Sequence, residues 1–375
     1  MNILWFVDKE FDTALDRTTW IEIIKNLQDN FNIYIATGFK KEKIKIKELE
    51  NIFYFASLKI PFINRLTFYL NQIIYFNRLI KKYNPNIILF NCNNFFLLKQ
   101  AVVLRKRYKF KIYLDIRTIP VWSSRYKNLL NLYFLRHSLK VASKYFDGIT
   151  YITEEMKRYL EEKFNLPKHK IEIWSSGVNT DIFKPLYISR KNNPFRLIYH
   201  GDLGKKRKID NVVKSLAILK EYEIEFFILG SGEALNELNN LVKKLGLTKR
   251  VILHAPVSYK KVPEYINRAD VGILPLPNWP GWNVSSPIKL FEYLACGKPV
   301  IATKISAHIN ILEGRNFVFW ANSASPQDIA NAIKEAYMKR EYYTNLGNKA
   351  RKFVIENYTW EKQAQKLGTF FKISS

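Results

Sequence analysis

Ser285-Ser286-Pro287-Ile288-Lys289-Leu290-Phe291-Glu292-Tyr293-Leu294-Ala295-Cys296-Gly297-Lys298-Pro299-Val300-Ile301-Ala302 is the tightest motif in the chain. The short apolar run at 271–274 reads as a strand ahead of it. Ser286 is a good N-cap and Pro287 a good first helical residue, so a helix is predicted over 287–295. A second apolar run at 299–302 reads as the next strand. Strand, helix and strand in this order predict neighbouring parallel strands.

The same alternation extends in both directions. Towards the N-terminus of this half, strands are predicted at 197–200, 225–229 and 251–254, with helices at 209–219, 234–245 and 262–268. Beyond the motif a helix is predicted at 326–337. The first half repeats the pattern. Strands are predicted at 2–7, 32–36, 53–55, 86–90, 111–114 and 148–152, and helices at 20–27, 66–80, 96–107 and 129–146. Thr153 is placed to cap the helix that follows. The expected fold is α/β, with two Rossmann-like, doubly wound parallel-sheet domains. At 375 residues two domains are expected. The polar stretch 185–194 is the one convincing linker. It gives an N-terminal domain over 1–188, a C-terminal domain over 189–358, and a last helix over 359–375 packing back on the N-terminal domain.

Composition narrows the function. Hydrophobic residues make up 47% of the chain, enough for two cores. The two cysteines, Cys92 and Cys296, form no disulfide framework or zinc spacing, and a reduced, cytoplasmic setting is expected. Residues 1–7 are too short an apolar run for a secretory signal. No run of 18 or more apolar residues is available to span a bilayer.

The net charge is +27. Residues 51–146 hold 17 bases against a single acid, Asp115, and are dense in aromatics. Bases among aromatic and aliphatic residues suit the headgroup layer of an anionic membrane. Nucleic acid would use the same charges, and a solvated lysine-rich face is the plain alternative. The expectation taken forward is a peripheral protein on the inner face of the cell membrane, attached through 51–146, with no nucleic-acid partner.

Within the tight motif, the helix start offers peptide N–H groups and a positive dipole end to a phosphate. Lys289 stands in the first turn, against the dipole's preference, which points to an anionic ligand. Glu292 lies one turn on, and a carboxylate there can hold two ribose hydroxyls. A capped helix with a solvated Lys–Glu pair is the alternative. Elsewhere, Asp115 ends a predicted strand in Asp115-Ile116-Arg117. Either it faces a substrate or it pairs with Arg117. His200 and His137 have no supporting cluster in the sequence and read as structural.

Four motifs in order resemble glycosyltransferase family 4. They are Gly177-Val178-Asn179-Thr180-Asp181-Ile182-Phe183; Tyr199-His200-Gly201-Asp202-Leu203 with Lys205-Lys206-Arg207-Lys208-Ile209-Asp210; Phe227-Ile228-Leu229-Gly230-Ser231-Gly232; and Ala269-Asp270-Val271-Gly272-Ile273-Leu274-Pro275-Leu276 running into the serine-proline motif. The resemblance covers about 145–365 strongly and the rest by architecture. It implies a GT-B fold, with two Rossmann-like domains facing a cleft. It also implies a retaining enzyme that moves a sugar from a nucleotide sugar to a lipid-linked or glycan acceptor, in surface polysaccharide or glycoconjugate assembly, without a metal or other cofactor.

Residue by residue, the resemblance puts Arg207 and Lys289 on the donor diphosphate as catalytic groups. It puts Gly201, Gly230, Ser286 and Pro287 around the donor, and Glu292 on the ribose. Asp202 replaces an arginine of the family pattern, with Lys205 or Lys206 as substitutes. Val284 replaces the glutamate that touches the sugar. Asp115 is carried as an acceptor-side catalytic candidate, and 8–12 as an acceptor loop. A sugar-nucleotide epimerase or phosphorylase of the same fold, or a basic nucleic-acid-binding protein, are the competing readings.

Overall fold

The computed structural model describes residues 1–7, 17–38, 51–55, 63–92, 94–119, 125–188 and 194–373. The acceptor-loop candidate 8–12 and the linker residues 189–193 lie outside them.

The chain divides into two compact units, residues 1–176 with 360–375, and residues 177–359. The first unit is built on strands β1 (Asn2–Phe6), β2 (Asn32–Thr37), β3 (Ile52–Tyr54), β4 (Ile87–Asn91), β5 (Lys111–Ile116), β6 (Gly148–Tyr151) and β7 (Ile171–Ile173), in the order β3-β2-β1-β4-β5-β6-β7. All neighbours are parallel. β1, β4 and β5 are almost wholly buried, as parallel strands covered by helices on both faces must be.

The second unit has β8 (Phe195–Asp202), β9 (Ile224–Ser231), β10 (Val251–His254), β11 (Val271–Leu274), β12 (Val300–Thr303) and β13 (Val318–Ala321), in the order β10-β9-β8-β11-β12-β13. These too pair in parallel. In each sheet the order reverses beside the first strand, between β1 and β4 and between β8 and β11. In open α/β sheets, ligands bind beyond the carboxyl ends of the strands at such a switch point.

The division falls at Ser176–Gly177, not at 188–189 as the polar stretch suggested. The reason is packing. Val178 bridges to Thr359, and Phe183 is wholly buried in the core of the second unit. Arg351 donates to the carbonyls of Phe183 and Thr180. The helix Trp360–Ile373 packs on the helix Arg17–Leu27 of the first unit, with Phe371 against Phe31 and Tyr113. The helix Glu154–Phe164 starts at its predicted cap, where Thr153 Oγ1 accepts from the Met156 N–H at 3.1 Å.

Candidate active site

The ends of β8 and β9 approach more closely than side chains would permit. A Cβ on Gly230 would overlap the Gly201 carbonyl. Gly201 itself has φ +110°, a region that only glycine enters cheaply. These two glycines leave an open notch at the carboxyl end of β8, beside the switch point. A Cβ on Gly201 would meet Lys289 Nζ at 3.6 Å, so Lys289 borders the notch directly.

Lys289 comes from the helix Ile288–Ala295, which follows β11. The helix begins one residue later than predicted. Pro287, with ψ 106°, is its cap position, and no side chain caps it. Ser286 is buried before the cap and does not serve as one. Lys289 is half-buried as a residue, with its ammonium 3.4 Å from the Tyr199 hydroxyl and 4.8 Å from that ring's centre. Burial, and next the nearby Arg207 guanidinium, push its pKa down to about 7. The charge here is therefore poorly compensated and is favoured by an incoming anion.

Arg207 ends a short 3-10 turn, Lys205–Arg207, just after β8. Its Nε donates to Asp202 Oδ2 at 2.8 Å, and its guanidinium lies 4.9 Å from the centre of the Trp282 ring. The side chain is 18% exposed, which leaves the guanidinium reachable. Asp202, where the resemblance expects an arginine, thus anchors Arg207. Neither proposed substitute is free of other contacts: Lys205 pairs with Glu237, and Lys206 sits 4.1 Å over Trp279. Burial raises the Tyr199 hydroxyl to about 12, and it donates to the Asp202 carbonyl at 2.8 Å.

Glu292 is 4% exposed, one turn beyond Lys289. His200, the last residue before the Gly201 turn, places Nε2 3.1 Å from Glu292 Oε2. The structure therefore brings together Gly201, Arg207, Gly230, Lys289 and Glu292 of the expected residues, with Ser286 and Pro287 at the helix start. It adds four that the sequence reading missed: Tyr199, His200, Trp279 and Trp282. Two tryptophans three residues apart beside the serine-proline motif were a readable signal. His200 carried none, because its partner is 92 positions away in the chain. Val284, at the sugar-glutamate position, is 5% exposed and ends the short helix Pro280–Asn283.

Asp115 belongs to the other unit and is 1% exposed. Its Oδ1 accepts from Thr150 Oγ1 at 2.6 Å and from Trp174 Nε1 at 3.0 Å. Arg117 stacks on the Trp174 ring at 3.6 Å and donates to the Trp174 carbonyl at 2.8 Å. This is an interior network that ties β5 to β6 and to the chain leaving β7. Asp115 is the penultimate residue of β5, one strand beyond the β1–β4 switch point. Among the described residues, no group of three or more His, Cys, Asp or Glu is placed to hold a metal ion.

The model of the glycosyl transferases group 1 matches residues 187–353, and that of glycosyltransferase family 4 matches residues 17–182. The chain belongs to the group 1 and family 4 glycosyltransferases. An uncharacterized glycosyltransferase of Methanocaldococcus jannaschii is 23% identical over 66% of this chain and 64% of its own length. Another from the same organism is 22% identical over 64% of this chain and 63% of its own. The chain thus spans just under two thirds of the length of these relatives. Sucrose-phosphate synthase from Thermosynechococcus elongatus superposes with a TM-score of 0.83 at 15% identity, covering 100% of this chain and 98% of that one. Anabaena HepE in complex with UDP superposes with a TM-score of 0.77 at 14% identity, covering 100% of both. At these identities the superpositions show the fold, which is GT-B.

Proposed function

We propose that this glycosyltransferase binds a nucleotide sugar at the β8–β11 switch point and transfers the sugar, with retention of configuration, to a lipid-linked or glycan acceptor in surface polysaccharide or glycoconjugate assembly. The observation that carries this reading is the convergence of Arg207 and Lys289 on the notch at Gly201, with Glu292 one turn further on. Two cations, one from a helix start and one from the turn after β8, match a diphosphate, and a carboxylate beyond them matches a ribose diol. HepE, whose fold is similar, was solved with UDP and with UDP-glucose, which is consistent with a nucleotide sugar here.

Chemically, the barrier lies in charge building on the departing diphosphate. Arg207 and Lys289 hold positive charge where it builds, with Asp202, Tyr199 and Trp282 fixing their positions before reaction. The Gly201–Gly230 approach lets the phosphates reach backbone and ammonium together. In the route taken here, the leaving phosphate oxygen takes the acceptor's proton on the same face, which retains configuration.

A membrane-borne acceptor is supported by the first unit. Its helix Ile63–Tyr83 exposes Leu66, Leu70, Ile73 and Ile74 along one stripe and ends in Lys81 and Lys82. The helix Phe95–Tyr108 packs against it, exposes Val103 and ends in Arg105, Lys106 and Arg107. The helix Arg125–Tyr145 packs next and exposes Leu129, Leu130 and Tyr133. Each base near anionic headgroups contributes on the order of 1 kcal/mol, and the apolar residues add burial. Arg105 is bridged to Asp147 at 3.1 Å, so it contributes less than its neighbours. No helix of the described residues is long and apolar enough to cross a membrane.

The test is a panel of UDP-, GDP-, ADP- and CMP-sugars incubated with the protein and read by mass spectrometry for free sugar. One donor is expected to be cleaved, and the cleavage to vanish in Lys289→Ala. Cleavage of none, with membrane-derived lipid acceptors also supplied, would overturn the reading.

A further inference from the structure

We propose that His200 is a positioning residue that fixes the plane of the Glu292 carboxylate for a cis-diol, so that recognition of the ribose depends on the histidine as well as on the glutamate. The inference rests on the ribose reading of Glu292 and names the device behind it.

A buried carboxylate is costly unless its oxygens are compensated. Glu292 is 4% exposed, and the group in contact with it is His200, itself 8% exposed. Their 3.1 Å approach is short enough for a charge-assisted bond, yet His200 Nε2 is buried without a partner in hydrogen-bond geometry. The pair is close but not locked, an arrangement that ligand binding can complete.

The ring is held from behind. It stands edge-on to Tyr293 at 5.2 Å and 90°, and its own peptide N–H donates to the Tyr293 hydroxyl at 3.3 Å. Gly272 is the reason Tyr293 fits there, because a Cβ on it would overlap the tyrosine ring. The histidine is thus fixed by β8, β11 and the helix that also carries Glu292.

The terminal torsion of a glutamate is broad, so a carboxylate alone does not present both oxygens in a set plane. A donor on Oε2 sets that plane. A carboxylate has about four lone-pair sites, so Oε2 can accept from His200 and from a hydroxyl together. Lys289, one turn earlier on the same helix, attracts Glu292 electrostatically. Without His200, the carboxylate is drawn towards Lys289 and away from the diol.

The test is equilibrium binding of the nucleoside diphosphate selected from UDP, GDP, ADP and CDP, against its 2′,3′-dideoxy form. Four proteins are compared: wild type, His200→Phe, His200→Asn and Glu292→Gln. Wild type is expected to prefer the ribose form. His200→Phe is expected to lose about tenfold of that preference, the scale of one charged hydrogen bond, with dideoxy binding unchanged. His200→Asn, which keeps a donor, should restore part of it. If His200→Phe weakens both nucleotides equally, or leaves the preference intact while Glu292→Gln abolishes it, His200 is structural and the proposal fails alone. If Glu292→Gln leaves the preference intact, the ribose reading fails with it.

Discussion

The two units share a parallel sheet with the same kind of strand-order reversal, and each buries a carboxylate near the end of a strand. They use it differently. Asp115, near the end of β5, accepts through Oδ1 from the Thr150 hydroxyl and the Trp174 indole within its own unit. Glu292 meets only a histidine out of hydrogen-bond geometry and an ammonium whose pKa burial has lowered. Asp115 stands one strand away from its switch point, whereas Glu292 and Lys289 stand beside theirs. A carboxylate tied into the interior by its own unit's donors holds structure together. One beside a switch point, next to a buried ammonium, is what a ligand carrying both hydroxyl donors and a diphosphate would complete.

The largest effect that could break this contrast lies at the diphosphate. Arg207→Ala and Lys289→Ala are each expected to lower turnover by roughly 2–4 kcal/mol of transition-state stabilisation, with folding retained. Steady-state kinetics on the cleaved donor would measure it. Wild-type turnover in both variants would make the cluster structural, like Asp115.

The pH dependence should differ between the units as well. Lys289 titrates near 7 in the folded protein, well below the unfolded value, so the fold disfavours its charged form. That penalty is full below pH 7 and fades as pH rises towards the unfolded value. Lys289→Met should therefore raise Tm at pH 6 and do so progressively less by pH 10. A bound diphosphate favours the ammonium, so its affinity should fall above pH 7, by at most about tenfold per pH unit, with proton uptake on binding. Calorimetry in two buffers of different ionisation enthalpy would detect that uptake. A pH-independent affinity between 6 and 9 would remove Lys289 from the site.

Asp115 supplies the opposite expectation. Asp115→Leu should cost about 1–3 kcal/mol of stability by stranding the Thr150 and Trp174 donors. Turnover per folded molecule should stay within a few-fold of wild type. Denaturant unfolding alongside kinetics separates the two. A loss of turnover of a hundredfold or more with unchanged stability would return Asp115 to the chemistry.

The architecture was legible because buried parallel strands read as short apolar runs, and these mark most of the elements. Edge strand β7 and the terminal strand β13 were not read. Ile171–Ile173 and Val318–Ala321 are short, three and four residues, and Ile171–Ile173 is only half-buried. The donor-side residues were legible because the glycine turn, Arg207 and the Lys289–Glu292 pair lie within two short segments. The contacts that tune them were not. Asp202 with Arg207 depends on the 3-10 turn that folds the chain back after β8, and His200 with Glu292 on where a strand end meets a helix 92 positions away. The domain boundary was misplaced for the same reason, since only packing shows that Phe183 belongs to the second core.

The smallest effect per residue is on membrane attachment. Lys81, Lys82, Lys106 and Arg107 changed to Glu should abolish co-sedimentation with anionic vesicles, each original base having contributed about 1 kcal/mol before screening. Donor cleavage in solution should be untouched. Equal pelleting with neutral and anionic vesicles would argue against a charged docking face on the first unit.

The most direct measurement is a titration of wild type and Arg207→Ala with UDP, GDP, ADP and CDP at pH 6.5, without any acceptor. The account predicts saturable binding of at least one of them to wild type, in competition with its nucleotide sugar, and a loss of tenfold or more in Arg207→Ala. Binding of none, or equal affinity in the two proteins, would contradict a nucleotide-sugar site at the carboxyl end of β8.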